Sequence, residues 1–211
     1  GLVSPDFCLH AVGIFSIDVI EALRGLPCEV FCYSNGTRRD NLTNRFQTAC
    51  AAWREVAYVG DERLAQQIRD DNIDVLVDLA GHTVGNRLMV FARKPAPLQV
   101  TWLGYEGTTG LAAMDYIVAD EHQIRLGEEA WYCERVLRLP NRYLCFAPPR
   151  GPLAVGPLPA YTRGQVTFAC FNNSMKITPR VIALWAEILR RVPDARLLLK
   201  WDGMDRAPLA Q

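Results

Sequence analysis

Two loops rich in glycine, threonine and histidine hold the residues best suited to bind a polar ligand. His82 and Thr83 follow the apolar run 75–79, and a second loop follows the apolar run 98–103. Buried strands that end in such loops form the ligand sites of open α/β sheets. Because backbone N–H groups and hydroxyls suit a sugar or a phosphate, the second loop adds the candidates Gly104, Tyr105, Gly107, Thr108 and Thr109.

His10 and Lys176 are the candidates for handling protons and charge. A histidine titrates near neutrality, which suits proton transfer or hydrogen bonding to hydroxyl groups; a structural histidine that closes its loop is the alternative. Asp6, just before it, is predicted to cap the following helix. Lys176 lies between a strand that ends at Phe171 and a helix that begins near Pro179. Anions collect at such helix ends, and a solvated loop lysine is the plain alternative.

Alternating strands and helices position these loops. The pattern predicts strands at 2–3, 29–33, 53–58, 75–79, 98–103, 116–119 and 135–139, and helices at 12–24, 41–52, 61–71 and 86–93. This alternation favours a mostly parallel, doubly wound sheet. Within it, Asp78 is flanked by apolar residues and is predicted to be a buried, hydrogen-bonded carboxylate, and Trp102 is predicted to belong to the core.

The composition changes after residue 146. Residues 147–159 contain five prolines and two glycines, so no regular element is expected there. A second strand–helix–strand pattern then follows at 166–171, 179–191 and 195–200. The sequence therefore predicts two α/β units joined by a linker. The chain begins in a strand without a methionine, and we expect it to be a piece of a longer protein.

Composition and charge exclude several functional classes. The 211 residues carry 23 basic and 23 acidic side chains, which argues against a dedicated nucleic-acid binder. No apolar run is long enough to cross a membrane. Seven cysteines without a CxxC pair indicate free thiols in a reducing cytosol, and three scattered histidines argue against a zinc site. No GxGxxG motif follows a strand, which argues against a dinucleotide-binding dehydrogenase.

Seven motifs in register resemble the catalytic region of the O-linked N-acetylglucosamine transferase family, glycosyltransferase family 41, which includes SPINDLY-like proteins. They are Ser4-Pro5-Asp6-Phe7 with His10, residues 29–34 (EVFCYS), 74–83, 91–99 (FARKPAPLQ), 102–110 (WLGYEGTTG), 114–116 (MDY) and 171–179 (FNNSMKITP). The resemblance covers nearly the whole chain.

The resemblance implies a GT-B-like α/β architecture of two Rossmann-type lobes. Residues 1–146 would form the acceptor-side lobe, 147–160 the linker and 161–211 the truncated start of the nucleotide-sugar lobe. It also implies tetratricopeptide repeats upstream and a nucleotide pocket completed beyond Gln211, so we expect residues 1–211 alone to be inactive. The implied partners are a UDP-sugar and a protein or peptide acceptor, with no nucleic acid and no membrane.

The implied reaction is the inverting transfer of N-acetylglucosamine from UDP-GlcNAc to Ser/Thr hydroxyls, in the cytoplasm and without a metal or other cofactor. In the family the lysine that matches Lys176 contacts the donor diphosphate, and His10 matches a histidine of the cleft that is a candidate base. Asn172 and Asn173 would orient the loop or donate to the nucleotide, with a turn-forming role as the alternative. The predicted catalytic residues are thus His10 and Lys176, and the predicted substrate-binding residues are His82, Thr83, Gly104, Tyr105, Gly107, Thr108, Thr109, Asn172 and Asn173.

Two positions depart from the family pattern, because Ala11 and Glu106 stand where the family usually has proline. Three alternatives stay open. The donor is another sugar nucleotide such as GDP-fucose, the acceptor is asparagine, or the chain is a non-catalytic binding or scaffold module. The residues that choose the donor lie beyond Gln211. The acceptor protein, the general base and the oligomeric state do not follow from the sequence.

Overall fold

The chain forms two units, residues 1–149 and 150–211. The computed structural model describes residues 1–148 and 154–201. Among these residues no helix combines the length and the apolar character needed to cross a bilayer.

The first unit is built on a seven-stranded, entirely parallel sheet. Its strand order is β3-β2-β1-β4-β5-β6-β7, which confirms the predicted parallel α/β class. Parallel neighbours need crossover helices, which is why strands and helices alternate along the chain. The strands are β1 (Leu2–Ser4), β2 (Phe31–Ser34), β3 (Ala52–Glu55), β4 (Val75–Asp78), β5 (Leu98–Thr101), β6 (Tyr116–Ala119) and β7 (Arg135–Arg138).

Four α-helices connect the first five strands. They are α1 (Ala11–Leu23), α2 (Asn41–Ala49), α3 (Asp61–Asp70) and α4 (Leu88–Phe91). The predicted continuation of α2 to residue 52 is wrong. The N–H of Ala51 donates to Val30 O at 2.8 Å, so the chain has already joined the sheet there. Asp40 caps α2 by accepting from the N–H groups of Leu42 and Thr43.

The helices cover both faces of the sheet. Because successive strand residues point to opposite faces, Leu2 packs with the buried residues of α1 and α2, whereas Val3 packs with those of α3 and α4. The sheet is therefore the middle layer of a three-layer unit, and its loops are left at the two edges where the strands begin and end.

A nearly buried arginine ties together the loops that follow β2, β3 and β4. The Arg87 side chain is 9% exposed and donates to Asp61 Oδ1 at 2.8 Å. It also donates to Asn35 Oδ1 at 2.7 Å and to the carbonyl oxygens of Val56 and Val59 at 3.1 and 2.6 Å. One planar guanidinium, from the loop after β4, thus satisfies acceptors in the loops after β2 and β3 and at the start of α3. This suits arginine, whose donors are arranged in a fixed plane.

The second unit contains a two-stranded parallel sheet of β8 (Thr167–Cys170) and β9 (Arg196–Leu199), joined by α6 (Pro179–Arg191). This strand–helix–strand pattern agrees with the sequence prediction, and Thr178 caps α6 as expected. A short helix, α5 (Pro159–Arg163), begins inside the stretch predicted to lack regular structure. Proline is accepted in a first helical turn because its missing N–H has no helical partner there.

We expect Arg87→Met to lower the free energy of unfolding of the first unit by about 3 kcal/mol, because it removes the donors to two carbonyls and a carboxylate while keeping the apolar stem. Urea titration monitored by tryptophan fluorescence measures this change. Arg63→Met is the matched control, since Arg63 is exposed on α3 and makes no ion pair within the described residues. Equal losses in the two variants would contradict the role of Arg87.

Candidate functional site

The strand order reverses direction between β1 and β4, at the point where open α/β sheets bind ligands. Ser4 ends β1 and Asp78 ends β4, and the two strands pair with Val3 opposite Asp78. The loop after β1 leads to His10, and the loop after β4 contains His82. Both candidate histidines therefore follow neighbouring strands at the same edge of the sheet.

Asp78 fixes the backbone of the loop after β4. Its side chain is fully buried and accepts hydrogen bonds from the N–H groups of Ala80 and Gly81 at 3.1 and 2.8 Å. It also accepts from Thr101 Oγ1 on β5 at 2.9 Å. Burial raises the pKa of Asp78, and these three hydrogen bonds oppose that rise. The predicted role of a buried, hydrogen-bonded carboxylate is confirmed.

His82 and Tyr105 are in direct contact. Their rings meet edge to face, with centroids 5.2 Å apart at an interplanar angle of 80°. Gly81 permits this contact, because its φ is +54° and an added Cβ would lie 2.3 Å from Tyr105 Cβ. The structure therefore joins one candidate from the loop after β4 to one from the loop after β5.

The neighbouring candidates Thr83, Gly104 and Gly107 each make contacts within or between these two loops. Thr83 donates its hydroxyl to Ala80 O at 2.7 Å, so it supports its own loop. Gly104 lies against the loop after β4, since an added Cβ would lie 2.0 Å from Leu79 O. Gly107 lies beside the Tyr105 ring. Only glycine at 104 allows the two loops to approach so closely.

Thr108 and Thr109 are held by a buried glutamate that the sequence did not indicate. Glu134, 4% exposed, accepts from Thr108 Oγ1 and from the N–H of Thr109, both at 2.7 Å, and from Thr109 Oγ1. Burial works to raise the pKa of Glu134, but hydrogen bonds from the two threonines outweigh it and lower that pKa below 4.5. Both candidate hydroxyls thus have a partner in the chain, and their contact with a ligand stays a prediction.

His10 caps α1, and the prediction that Asp6 does so is wrong. The N–H of Val12 donates to His10 Nδ1 at 3.3 Å, and the same Nδ1 lies 3.5 Å from Asp6 Oδ2. Histidine is not among the usual capping residues, so this cap could not be predicted from residue type. Burial raises the pKa of Asp6, and the nearby His10 opposes that rise.

The two contacts of His10 require different tautomers. Accepting from Val12 needs a lone pair on Nδ1, which leaves the proton on Nε2. Donating to Asp6 needs the proton on Nδ1, which leaves Nε2 as an acceptor able to take a proton. The His10 side chain is half exposed.

Lys176 is an exposed cation beside the N-terminus of α6 in the second unit. It ends a short 3₁₀ helix, Ser174–Lys176, and its amine makes no hydrogen bond or ion pair within the part of the chain that the structure describes. Asn173 accepts from the N–H of Met175 at 3.0 Å and so caps this helix, whereas Asn172 is exposed. The role of these three residues toward a donor stays a prediction.

The structure therefore brings together His82, Tyr105, Gly104 and Gly107, and it places Thr108 and Thr109 against Glu134. It also shows two positioning residues, Arg87 and Glu134, that the sequence did not reveal. Their partners lie 25 to 52 residues away in the chain, a separation that no local pattern reports. Among the described residues, no group of three histidine, cysteine, aspartate or glutamate side chains is arranged to hold a metal ion.

Residues 1–146 match the family model described as Glycosyl transferase family 41. A probable UDP-N-acetylglucosamine–peptide N-acetylglucosaminyltransferase SPINDLY of Hordeum vulgare is 39% identical over 204 residues, which are 95% of this chain and 22% of that protein. The probable transferase SEC of Arabidopsis thaliana is 31% identical over 94% of this chain and 21% of its own length. The chain thus spans about a fifth of the length of these curated relatives.

A solved structure of a mutant O-GlcNAc transferase of Thermobaculum terrenum is similar to this one, with a TM-score of 0.85 and 46% sequence identity. The match covers 94% of this chain and 38% of that chain. It confirms the predicted GT-B-like fold class.

We expect Asp78→Asn to lower the free energy of unfolding by about 2 kcal/mol, because the new NH₂ group meets backbone donors where an acceptor is required. Chemical denaturation at neutral pH measures the loss. Asp74→Asn makes the same change on an exposed residue just before β4 and is expected to shift stability by less than about 0.5 kcal/mol. A loss of the same size in both variants would rule out the proposed anchoring.

Glu134 predicts a specific dependence of stability on acidity. The pKa of Glu134 is lower in the folded state than in the unfolded chain. Ionised Glu134 therefore stabilises the fold fully when the pH is above its unfolded-state pKa, and this stabilisation is lost as the pH falls through its folded-state pKa. Wild type should therefore lose stability relative to Glu134→Gln as the pH is lowered from about 6 to about 3. Urea titrations of both proteins across this range measure the difference, and a constant difference would contradict it.

Proposed function

The chain belongs to glycosyl transferase family 41, and from that premise we propose that a protein containing it transfers N-acetylglucosamine from UDP-GlcNAc to serine or threonine hydroxyls of proteins. The observation that carries the proposal is the likeness to a solved O-GlcNAc transferase at 46% identity and a TM-score of 0.85. The names of the plant relatives, which are UDP-N-acetylglucosamine–peptide transferases, support it.

The reaction needs a base for the acceptor hydroxyl. In the proposed step the hydroxyl oxygen attacks the anomeric carbon, its proton leaves, and the bond from that carbon to UDP breaks with inversion. His10 takes the proton at Nε2 when its Nδ1–H donates to Asp6, which lies 3.5 Å away. His82 and Tyr105 line the same edge of the sheet and bind substrate hydroxyls in this proposal.

The departing UDP needs a stabilising cation. We assign this role to Lys176, which is supported by its exposed, unpaired amine among the described residues and by the adjoining N-terminus of the 13-residue helix α6. Asn172 and Asn173 support the same loop. UDP-GlcNAc is then a substrate, and the reaction needs no cofactor; that absence stays a prediction.

The setting of the reaction is also part of the proposal. All seven cysteines are free thiols, which supports work in the reducing cytosol. Tetratricopeptide repeats ahead of this chain stay a prediction.

A full-length protein containing this chain should add one N-acetylhexosamine to protein or peptide acceptors when it is supplied with UDP-GlcNAc. Intact-mass measurement of the acceptor and release of UDP report the reaction. We expect Lys176→Ala to lower kcat about 100-fold or more, the range for losing one group that stabilises transition-state charge, with little change in melting temperature.

Lys200→Ala is the matched control, because it removes another exposed amine of the second unit. It should leave kcat within about twofold of wild type. Transfer only from a different sugar nucleotide would refute the proposed donor. An unchanged kcat in Lys176→Ala would refute the proposed role of this lysine without refuting the transfer itself.

A further inference from the structure

A cavity lies along the same edge of the sheet as His82 and Tyr105. It has a volume of about 410 Å³ and is lined by loops that follow three neighbouring strands. Glu106 comes from the loop after β5, Asp120 and His122 from the loop after β6, and residues 142–144 from the segment after β7. Glu106 follows Tyr105 in the same loop, so the cavity lies beside the loop that carries Tyr105.

Only one of the two carboxylates in this cavity is satisfied by the chain. Asp120 accepts from the N–H groups of His122 and Gln123 at 2.9 Å and from that of Tyr143 at 3.1 Å. These backbone hydrogen bonds lower the pKa of Asp120. The exposed carboxylate of Glu106, by contrast, has no hydrogen bond or ion pair among residues 1–148 and 154–201. Glu106 is therefore free to bind a partner that the chain does not provide.

The charge around the cavity is negative on balance. Glu106 and Asp120 line it, and Glu121 adjoins it beside His122. The lining thus holds two carboxylates, with the Glu121 carboxylate beside it, against the guanidinium of Arg142 and the imidazole of His122. Burial and the charges of Glu106 and Asp120 together raise the pKa of the Tyr143 phenol. A cation is favoured in such surroundings.

The remaining lining suits a long cationic side chain. Leu144 and Tyr143 offer apolar and aromatic surface on which a methylene stem can pack. Oε1 of Gln123, another lining residue, is buried and without a hydrogen-bond donor among the described residues. A ligand that carries a positive charge on an apolar stem would therefore match the carboxylates and the apolar surface of this cavity.

We propose that this cavity, through the free carboxylate of Glu106, binds a lysine or arginine side chain of the acceptor protein close to the hydroxyl that is modified. The inference rests on the proposed function. Of the two substrates, the nucleotide sugar carries a negatively charged diphosphate, which Glu106 and Asp120 would repel. The protein acceptor is the substrate that can supply a cation, so Glu106 is a residue that determines acceptor specificity.

The test compares full-length wild type with Glu106→Gln and Glu106→Lys on three series of serine peptides. The series are identical except for lysine, alanine or glutamate placed in turn at each position flanking the serine. Wild type should show kcat/KM for the best lysine peptide about five- to tenfold above its alanine counterpart, mainly through a lower KM. Glu106→Gln should abolish this preference, and Glu106→Lys should shift it to glutamate.

Glu29→Lys is the matched control, since Glu29 is an exposed glutamate just before β2, at the opposite edge of the sheet. It should keep the wild-type preference. Added salt should weaken the preference of wild type. Equal kcat/KM across the wild-type series, a wild-type preference for glutamate peptides, or a preference unaltered in Glu106→Lys would overturn the inference.

The two proposals can fail separately. Transfer to the alanine peptides by wild type tests the proposed function and does not depend on Glu106. If no transfer occurs with any peptide, fluorescence anisotropy of labelled lysine and glutamate peptides bound to wild type and Glu106→Lys still tests the charge preference. Identical binding of both peptides by both proteins would then overturn the inference.

Discussion

The first unit depends at its switch point on one buried carboxylate that is surrounded by donors. Asp78 ends β4, and its oxygens accept from the N–H groups of Ala80 and Gly81 in the following loop and from Thr101 of β5. An interior carboxylate without these partners would be costly to bury. The turn that carries His82 is thereby fixed to two strands at once, so the histidine meets Tyr105 on a rigid support rather than on a mobile loop.

Local sequence patterns predicted the helices and strands whose formation depends on residues close together in the chain. The helix over Pro179–Arg191 has its proline and its threonine cap in the expected places, and the strand Tyr116–Ala119 is an apolar run between polar residues. The end of α2 was missed because a hydrogen bond from Ala51 to Val30, just before β2, stops a helix whose composition would let it continue. Tertiary pairing, rather than propensity, decided that boundary.

The sequence predicted where the candidate site lies, but not which side chains contact one another within it. The loops after β4 and β5 could be located because buried strands end at their glycines, and His82 lies there as expected. Glu134 and Arg87 gave no local signal, since each acts on residues far away in the chain. The sequence could not show that the hydroxyls of Thr108 and Thr109 have an acceptor within the chain. That acceptor, Glu134, becomes their neighbour only in the folded sheet.

The shared nitrogen of His10 has a consequence for the proposed reaction. Nδ1 either accepts a hydrogen bond from the N–H of Val12 or donates one to Asp6. The imidazole therefore cannot cap α1 and accept a proton at Nε2 at the same time. In the proposed reaction, uptake of a proton at Nε2 would therefore leave the N–H of Val12 without its side-chain acceptor.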